Sequence, residues 1–292
     1  HREETRVIHA ITLRDQCVRY VRARPISTSS KYRMNRSVRL FGEWLSRDAL
    51  VSDLTDDVVN DWLHALEATH ADKSIKGFRG DLLALWRWLA APPQRLCDPP
   101  VYVRRIKLGE PCPISWTADE AAKIVARCRE LTGTLPRGIS RSVYCECLFR
   151  FGYDTGLRRM DAWTIRRNQI RPDGTIVMRQ HKTGHAHWPR LRLETMQLLS
   201  QLPHDPPLAC PYKKTSRWYK FWRENVTGPA GVRHGALQQI RRTGATHLAI
   251  EHPEAVQRYL GHRTPEMQRY YIDWSIAKPQ SHLPPDIFRD DE

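Results

Sequence analysis

The chain has 292 residues, 40% apolar and 27% charged, a composition that excludes a disordered acidic segment and supplies apolar mass for about two domains. No apolar run approaches the ~18 residues of a spanning helix, so the sequence reads as that of a soluble protein. Lys and Arg number 47 against 32 Asp and Glu, a net +15, and a surplus of that size points to a polyanionic partner. Residues 1–100 hold 16 basic and 13 acidic residues, whereas the remaining 192 hold 31 and 19. The second part is therefore expected to meet phosphates most heavily. Seven cysteines, an odd number without a C-x-x-C pair, argue against a disulfide framework and for buried thiols in a reducing compartment.

The first elements in chain order read as helices. From Ser30 to Leu45, Tyr32, Val38, Phe41 and Leu45 recur at spacings near three and four. Thr55 followed by Asp56 and Asp57 is a helix start, a hydroxyl to cap free N–H groups and carboxylates at the positive end of the dipole. Leu82 to Leu89 is apolar nearly all round and predicts the helix that the others pack against. Prolines at 92, 93, 99, 100, 111 and 113 then break the periodicity. These features divide the chain into a helical domain over 1–95, a linker over 96–114, a second domain over 115–275 and a tail over 276–292.

In the second domain, Thr117 and Glu120 form a capping box ahead of a helix over Ala121 to Leu131. A helix around Val143 to Tyr153 follows. Next comes the one clear β region, with turns at Pro172–Gly174 and Lys182–Gly184, a strand from Thr175 to Met178 and a return strand through Trp188. Everything after Leu193 reads as short helices. The fold class is thus mainly α with a small β-sheet.

Four stretches of the basic half carry chemistry: Thr155-Gly156-Leu157-Arg158-Arg159-Met160-Asp161, the turn around Lys182, Ile240-Arg241-Arg242-Thr243-Gly244, and Leu260-Gly261-His262 with Tyr271 nine residues on. Taken singly each is ordinary: an arginine after a glycine is usually solvated, and a tyrosine in a helix is usually core. Their order and spacing resemble the tyrosine recombinase, or phage integrase, family from about Ser115 to Asp273, and the preceding helical segment resembles that family's SAM-like core-binding domain. The resemblance implies that Arg158 and Arg241 are the two catalytic arginines, Lys182 the hairpin lysine, His262 the histidine and Tyr271 the nucleophile, with Asp161 supporting. It further implies a mixed α/β catalytic domain, cutting and rejoining of double-stranded DNA through a 3′-phosphotyrosyl link, and strand exchange within a homotetramer holding two recombination sites. Neither metal nor other cofactor is implied. The family's setting is the prokaryotic cytoplasm or nucleoid, in a chromosome, phage or mobile element.

The residue types suit that chemistry. Two guanidiniums fork onto anionic phosphate oxygens and stabilise the charge growing there, an ammonium protonates a leaving oxygen, and a phenol forms an ester that conserves bond energy. Adjacent helical residues point about 100° apart, so only one of Tyr270 and Tyr271 can face a site; spacing selects Tyr271 and leaves Tyr270 to pack. Three residues before Arg241 the family has histidine, whereas this chain has Gln238, which donates hydrogen bonds but shuttles no proton. Gln238 is read as a positioning substitute, with His234 and His247 outside the motif. His181, His185 and His187 are read as phosphate or solvent contacts of a basic hairpin. A DNA-binding protein without catalysis and a relative that nicks and reseals like a type IB topoisomerase or resolvase are the alternatives.

Overall fold

A computed structural model describes residues 11–277. These fall into two compact units that meet between Glu110 and Pro111.

The first unit contains α1 (Leu13–Ala23), α2 (Thr28–Trp44), α3 (Asp56–Ala65) and α4 (Asp72–Ala90). Thr12, Ser27 and Thr55 cap the first three, each hydroxyl accepting a first-turn N–H. The predicted run over Leu82 to Leu89 is the second half of α4, whose Ile75, Phe78, Leu82, Leu85, Trp86 and Leu89 are buried with Phe41 and Trp62. Asp81 is a buried carboxylate clasped by Arg33 at 2.7 Å and by Ser37. Between these contacts α2 and α4 expose Tyr32, Arg36, Lys73 and Lys76.

The predicted linker is not a free tether over its first part. Trp86 donates to the Asp98 carbonyl, the Asp56 carboxylate accepts the N–H groups of Val101 and Tyr102, and Arg79 donates to the Val103 and Arg104 carbonyls. Proline-rich backbone has no ladder to join, so side chains of α3 and α4 satisfy its polar groups.

The second unit begins with Ser115 and Trp116, followed by α5 (Ala118–Glu130), for which the Thr117–Glu120 capping box forms as read. Strands β1 (Thr134–Leu135) and β2 (Ile139–Ser140) pair antiparallel and lead into α6 (Arg141–Thr155). This helix is buried nearly all round and packs against α5 on one side. After α7 (Arg159–Thr164), β3 (Met178–Arg179) and β4 (Ala186–His187) pair in the register Met178↔His187 and Arg179↔Ala186, and isolated bridges at Ile170–Ile176 and Thr175–Arg190 extend the ribbon. The unit continues through α8 (Leu193–Ser200), α9 (Thr215–Trp222), α10 (Leu237–Glu251), α11 (Val256–Leu260) and α12 (Trp274–Ala277). The chain is mainly α with small sheets, and no described helix is long and apolar enough to cross a membrane.

One sequence expectation is corrected here. The region after Leu193 is not made only of short helices, because α10 runs for 15 residues and packs on α6. His234, read as outside the motif, lies ahead of Leu237 with its ring against the Thr227 hydroxyl. Most of the predicted tail, including Leu283, Ile287 and Phe288, lies outside the described residues.

Candidate active site

Two glycines bring the predicted side chains together. Gly156 ends α6 at φ +58°, and a Cβ there would meet the Tyr259 ring at 2.5 Å. Both conditions demand glycine, and the turn delivers Arg158 to the start of α7. Gly261 ends α11 at φ +60°, pressed against Gln180 and His187, and delivers His262.

Arg241 is 0% exposed. Such a buried cation is tolerable only with partners, and Arg241 donates to the carbonyls of Gly156 and Leu260 and, at 3.1 Å, to Nε2 of His262. Burial, then the charge of Arg158, pushes its pKa down to about 10, leaving it protonated at neutral pH. The guanidinium lies 4.8 Å from the centre of the Tyr271 ring, and the His262 ring lies 4.9 Å from the same ring. Arg242, its neighbour, is only half-buried.

Tyr271 is half-buried at the end of a short 3-10 turn over Pro265–Tyr270. Burial opposes its ionisation, but the charges of Arg241 and Arg158 and hydrogen bonds from Gln238 and Arg241 outweigh it and hold the phenol below its ordinary range. Tyr270 departs from expectation. It is 40% exposed, with Arg269 at its hydroxyl and over its ring, because the 3-10 turn sends it outward while Tyr271 turns in.

The segment carrying Tyr271 is anchored by a buried polar set. Thr246 of α10 accepts the Asp273 N–H at 2.9 Å and meets the Ser115 hydroxyl at 2.7 Å, while the Asp273 carboxylate accepts the Ser115 N–H at 2.8 Å. Beneath lies a small apolar cluster of Ala245, Ala249, Val256, Leu260 and Ile272.

Gln238 is exposed in the first turn of α10 and reaches the Tyr271 hydroxyl. If Tyr271 is the nucleophile that the resemblance implies, replacing Gln238 with alanine removes one donor to its phenolate, and a roughly tenfold slower strand cleavage is expected in single-turnover assays, with Gln238→His restoring most of it. Cleavage equal to the parent's would show that the side chain has no part in positioning.

Lys182 stands exposed at the tip of the β3–β4 hairpin. Asp161 is buried in α7 and its Oδ1 accepts the His181 N–H at 2.6 Å, fixing one side of that tip. His247 lies away from this cluster, joining the Tyr153 hydroxyl to the Trp116 carbonyl.

Reasoning from sequence missed Gln180 and misplaced His187. His187 is not a phosphate or solvent contact: it is 6% exposed, because β4 turns it inward against the Gly261 turn, and His185 alone of the two is exposed. Burial first and the charge of Arg241 next push both His187 and His262 down to about 4. Both are neutral at pH 7. In the unfolded chain they take protons near ~6.5, so the unfolded state gains protons first and stability is lost as pH falls from about 6.5 towards 4. Thermal melts across that window should show a falling Tm, and His187→Gln should flatten part of the fall.

No protein-family model and no curated protein matches the sequence. Solved structures do. A lambda integrase (residues 75–356) dimer bound to a COC′ core site superposes with a TM-score of 0.70 at 17% identity, covering 95% of this chain and 100% of that one. XerH site-specific recombinase bound to palindromic difH substrate gives 0.69 at 16% identity over 89% and 80%. The Tn1549 transposon integrase with a circular intermediate DNA gives 0.64 at 13% over 90% and 95%. The resemblance read from four short stretches thus extends over most of the chain, which has the fold of the tyrosine recombinases.

Proposed function

We propose that the chain is a site-specific tyrosine recombinase that cuts and rejoins duplex DNA through a 3′-phosphotyrosyl intermediate. The observation that carries this reading is the Tyr271 ring packed against both the Arg241 guanidinium and the His262 ring, where the charges of Arg241 and Arg158 favour the phenolate. A phenol near ~10 is otherwise a weak nucleophile at neutral pH.

In this reading the Tyr271 phenol, held below its ordinary range, gives up its proton to water, the phenolate oxygen attacks the scissile phosphorus, and the P–O5′ bond breaks with its electron pair on O5′. Arg158 and Arg241 fork onto the non-bridging oxygens. The His262 ring, which accepts from Arg241 through Nε2, is neutral with its proton on Nδ1, and Nδ1 has no protein partner among the described residues. Lys182 gives its ammonium proton to O5′. Resealing reverses the step with a 5′-hydroxyl, and its use on a second duplex is strand exchange. The exposed cations of α2 and α4 belong to the DNA-holding surface of the first unit, whose phosphate contacts make binding steeply salt-dependent.

The test is covalent capture. The full chain is incubated with a pool of short nicked duplexes of randomised sequence, so that the cleaved end diffuses away, and is then run on a denaturing gel. A DNA-linked band whose duplexes share a core sequence is expected. Binding without any such band would leave a DNA-binding protein that does not cut, and capture without joining between two duplexes would leave a nicking and resealing enzyme.

A further inference from the structure

Gln180 follows β3, two residues before Lys182, and is 1% exposed. Its Oε1 accepts from Arg158 Nη1 at 2.8 Å and from the Thr183 hydroxyl at 2.9 Å. Its Nε2 lies 3.4 Å from the Leu260 carbonyl and packs on Gly261, where a Cβ would stand 2.1 Å from that nitrogen. One amide therefore touches the first arginine, the lysine turn and the chain entering His262. Its backbone also closes the turn, with Gln180 N–H donating to the His185 carbonyl and Gly184 N–H to the Gln180 carbonyl at 2.8 Å each.

The lysine needs such a root. Lys182 is exposed on a hairpin whose ladder is two residue pairs long, and a free lysine side chain carries roughly 2 kcal/mol of rotamer entropy against any fixed placement. Neither the ladder nor the side chain can set where the ammonium stands. A glutamine suits the root better than a carboxylate or a hydrocarbon would. Its oxygen serves two donors while its nitrogen serves a carbonyl, so all three neighbours are satisfied without a buried charge.

We infer that Gln180 is a positioning residue that registers the Lys182 turn against Arg158 and His262, so that the leaving-oxygen proton and the guanidinium charge reach one phosphate together. The inference rests on the proposed function for its chemistry, but its structural half stands apart from it. Gln180 itself touches no reacting atom.

The experiment uses the duplex captured from the randomised pool, made with either oxygen or sulfur at the 5′ bridging position. A thiol ionises near ~8.5 and leaves without a proton, so sulfur bypasses the general acid. The variants are Gln180→Leu and Thr183→Val; the second changes an exposed side chain, cuts only the hairpin contact and leaves the Gln180–Arg158 bond in place. Both should slow single-turnover cleavage of oxygen DNA by about 10- to 100-fold; sulfur DNA should restore Thr183→Val, as it should Lys182→Ala, and restore Gln180→Leu in part, leaving the share lost with the Arg158 contact. Equal losses on both substrates, or no loss on oxygen DNA, overturn the registration of the lysine.

Hydrogen exchange reads the same coupling without DNA. In Gln180→Leu the amides of His181 to Gly184 and His262 should exchange faster while those of the α10 interior do not change. Unaltered exchange in the hairpin overturns the inference, even if the parent captures no duplex and the functional reading itself falls.

Discussion

Tyr271→Phe is expected to abolish covalent capture of DNA, a loss of at least roughly 10³-fold, while duplex binding in a gel-shift assay stays near the parent's. The ring, its contact with Arg241 and its packing on His262 all survive the loss of one oxygen, so the folded site remains and only the attacking atom goes. Tyr270→Phe removes a hydroxyl that, among the described residues, Arg269 meets, and should leave capture unchanged. The pair of variants separates nucleophile from neighbour. Capture that persists in Tyr271→Phe and disappears in Tyr270→Phe would reverse the assignment. A second readout is the pH profile: the phenol is held below its ordinary range by the arginines, so the acid limb of single-turnover cleavage should lie below that expected of a free tyrosine.

What could be read in advance follows from what short-range chemistry encodes. Caps are local, which is why Thr55 and the Thr117–Glu120 box start helices where the sequence places them. Arg158, Arg241, His262 and Tyr271 were legible through spacing, and the structure brings them to one place because Gly156 and Gly261 each end a helix with positive φ. Gln180 carried no signal: a glutamine in a short strand is ordinary, and its three partners lie 22, 3 and 80 residues away. His187 failed for a related reason. Alternation would place His185 and His187 on one strand face, but β4 spans only Ala186–His187, so His185 stays exposed outside it while His187 packs on the Gly261 turn, a contact spanning more than 70 positions. Tyr270 was misread because a helix was assumed where the chain forms a 3-10 turn, and the direction of successive side chains changes with the turn geometry.

Arg241 is where substitution is expected to damage both chemistry and fold. Arg241→Ala removes a charge from the heart of the second unit, strands the carbonyl of Gly156 and leaves that of Leu260 with the Gln180 amide as its donor; an unpaired buried group costs about 1–3 kcal/mol. A lower Tm and at least ~10³-fold slower cleavage should appear together, which makes alanine a poor probe of mechanism. Arg241→Lys is more informative. It keeps the charge and one or two donors but loses the planar fork, so stability should fall less while single-turnover cleavage still drops about 10²-fold. On the proposed reading duplex affinity should change little, because many exposed cations share the phosphate contacts and Arg241 would supply one of them. The loss then sits in the chemical step rather than in binding, as required of a group whose interaction strengthens only when the phosphate gains charge. If Arg241→Lys weakened duplex binding and cleavage in equal proportion, Arg241 would be an ordinary backbone contact, and stabilisation of the transition state would rest with Arg158.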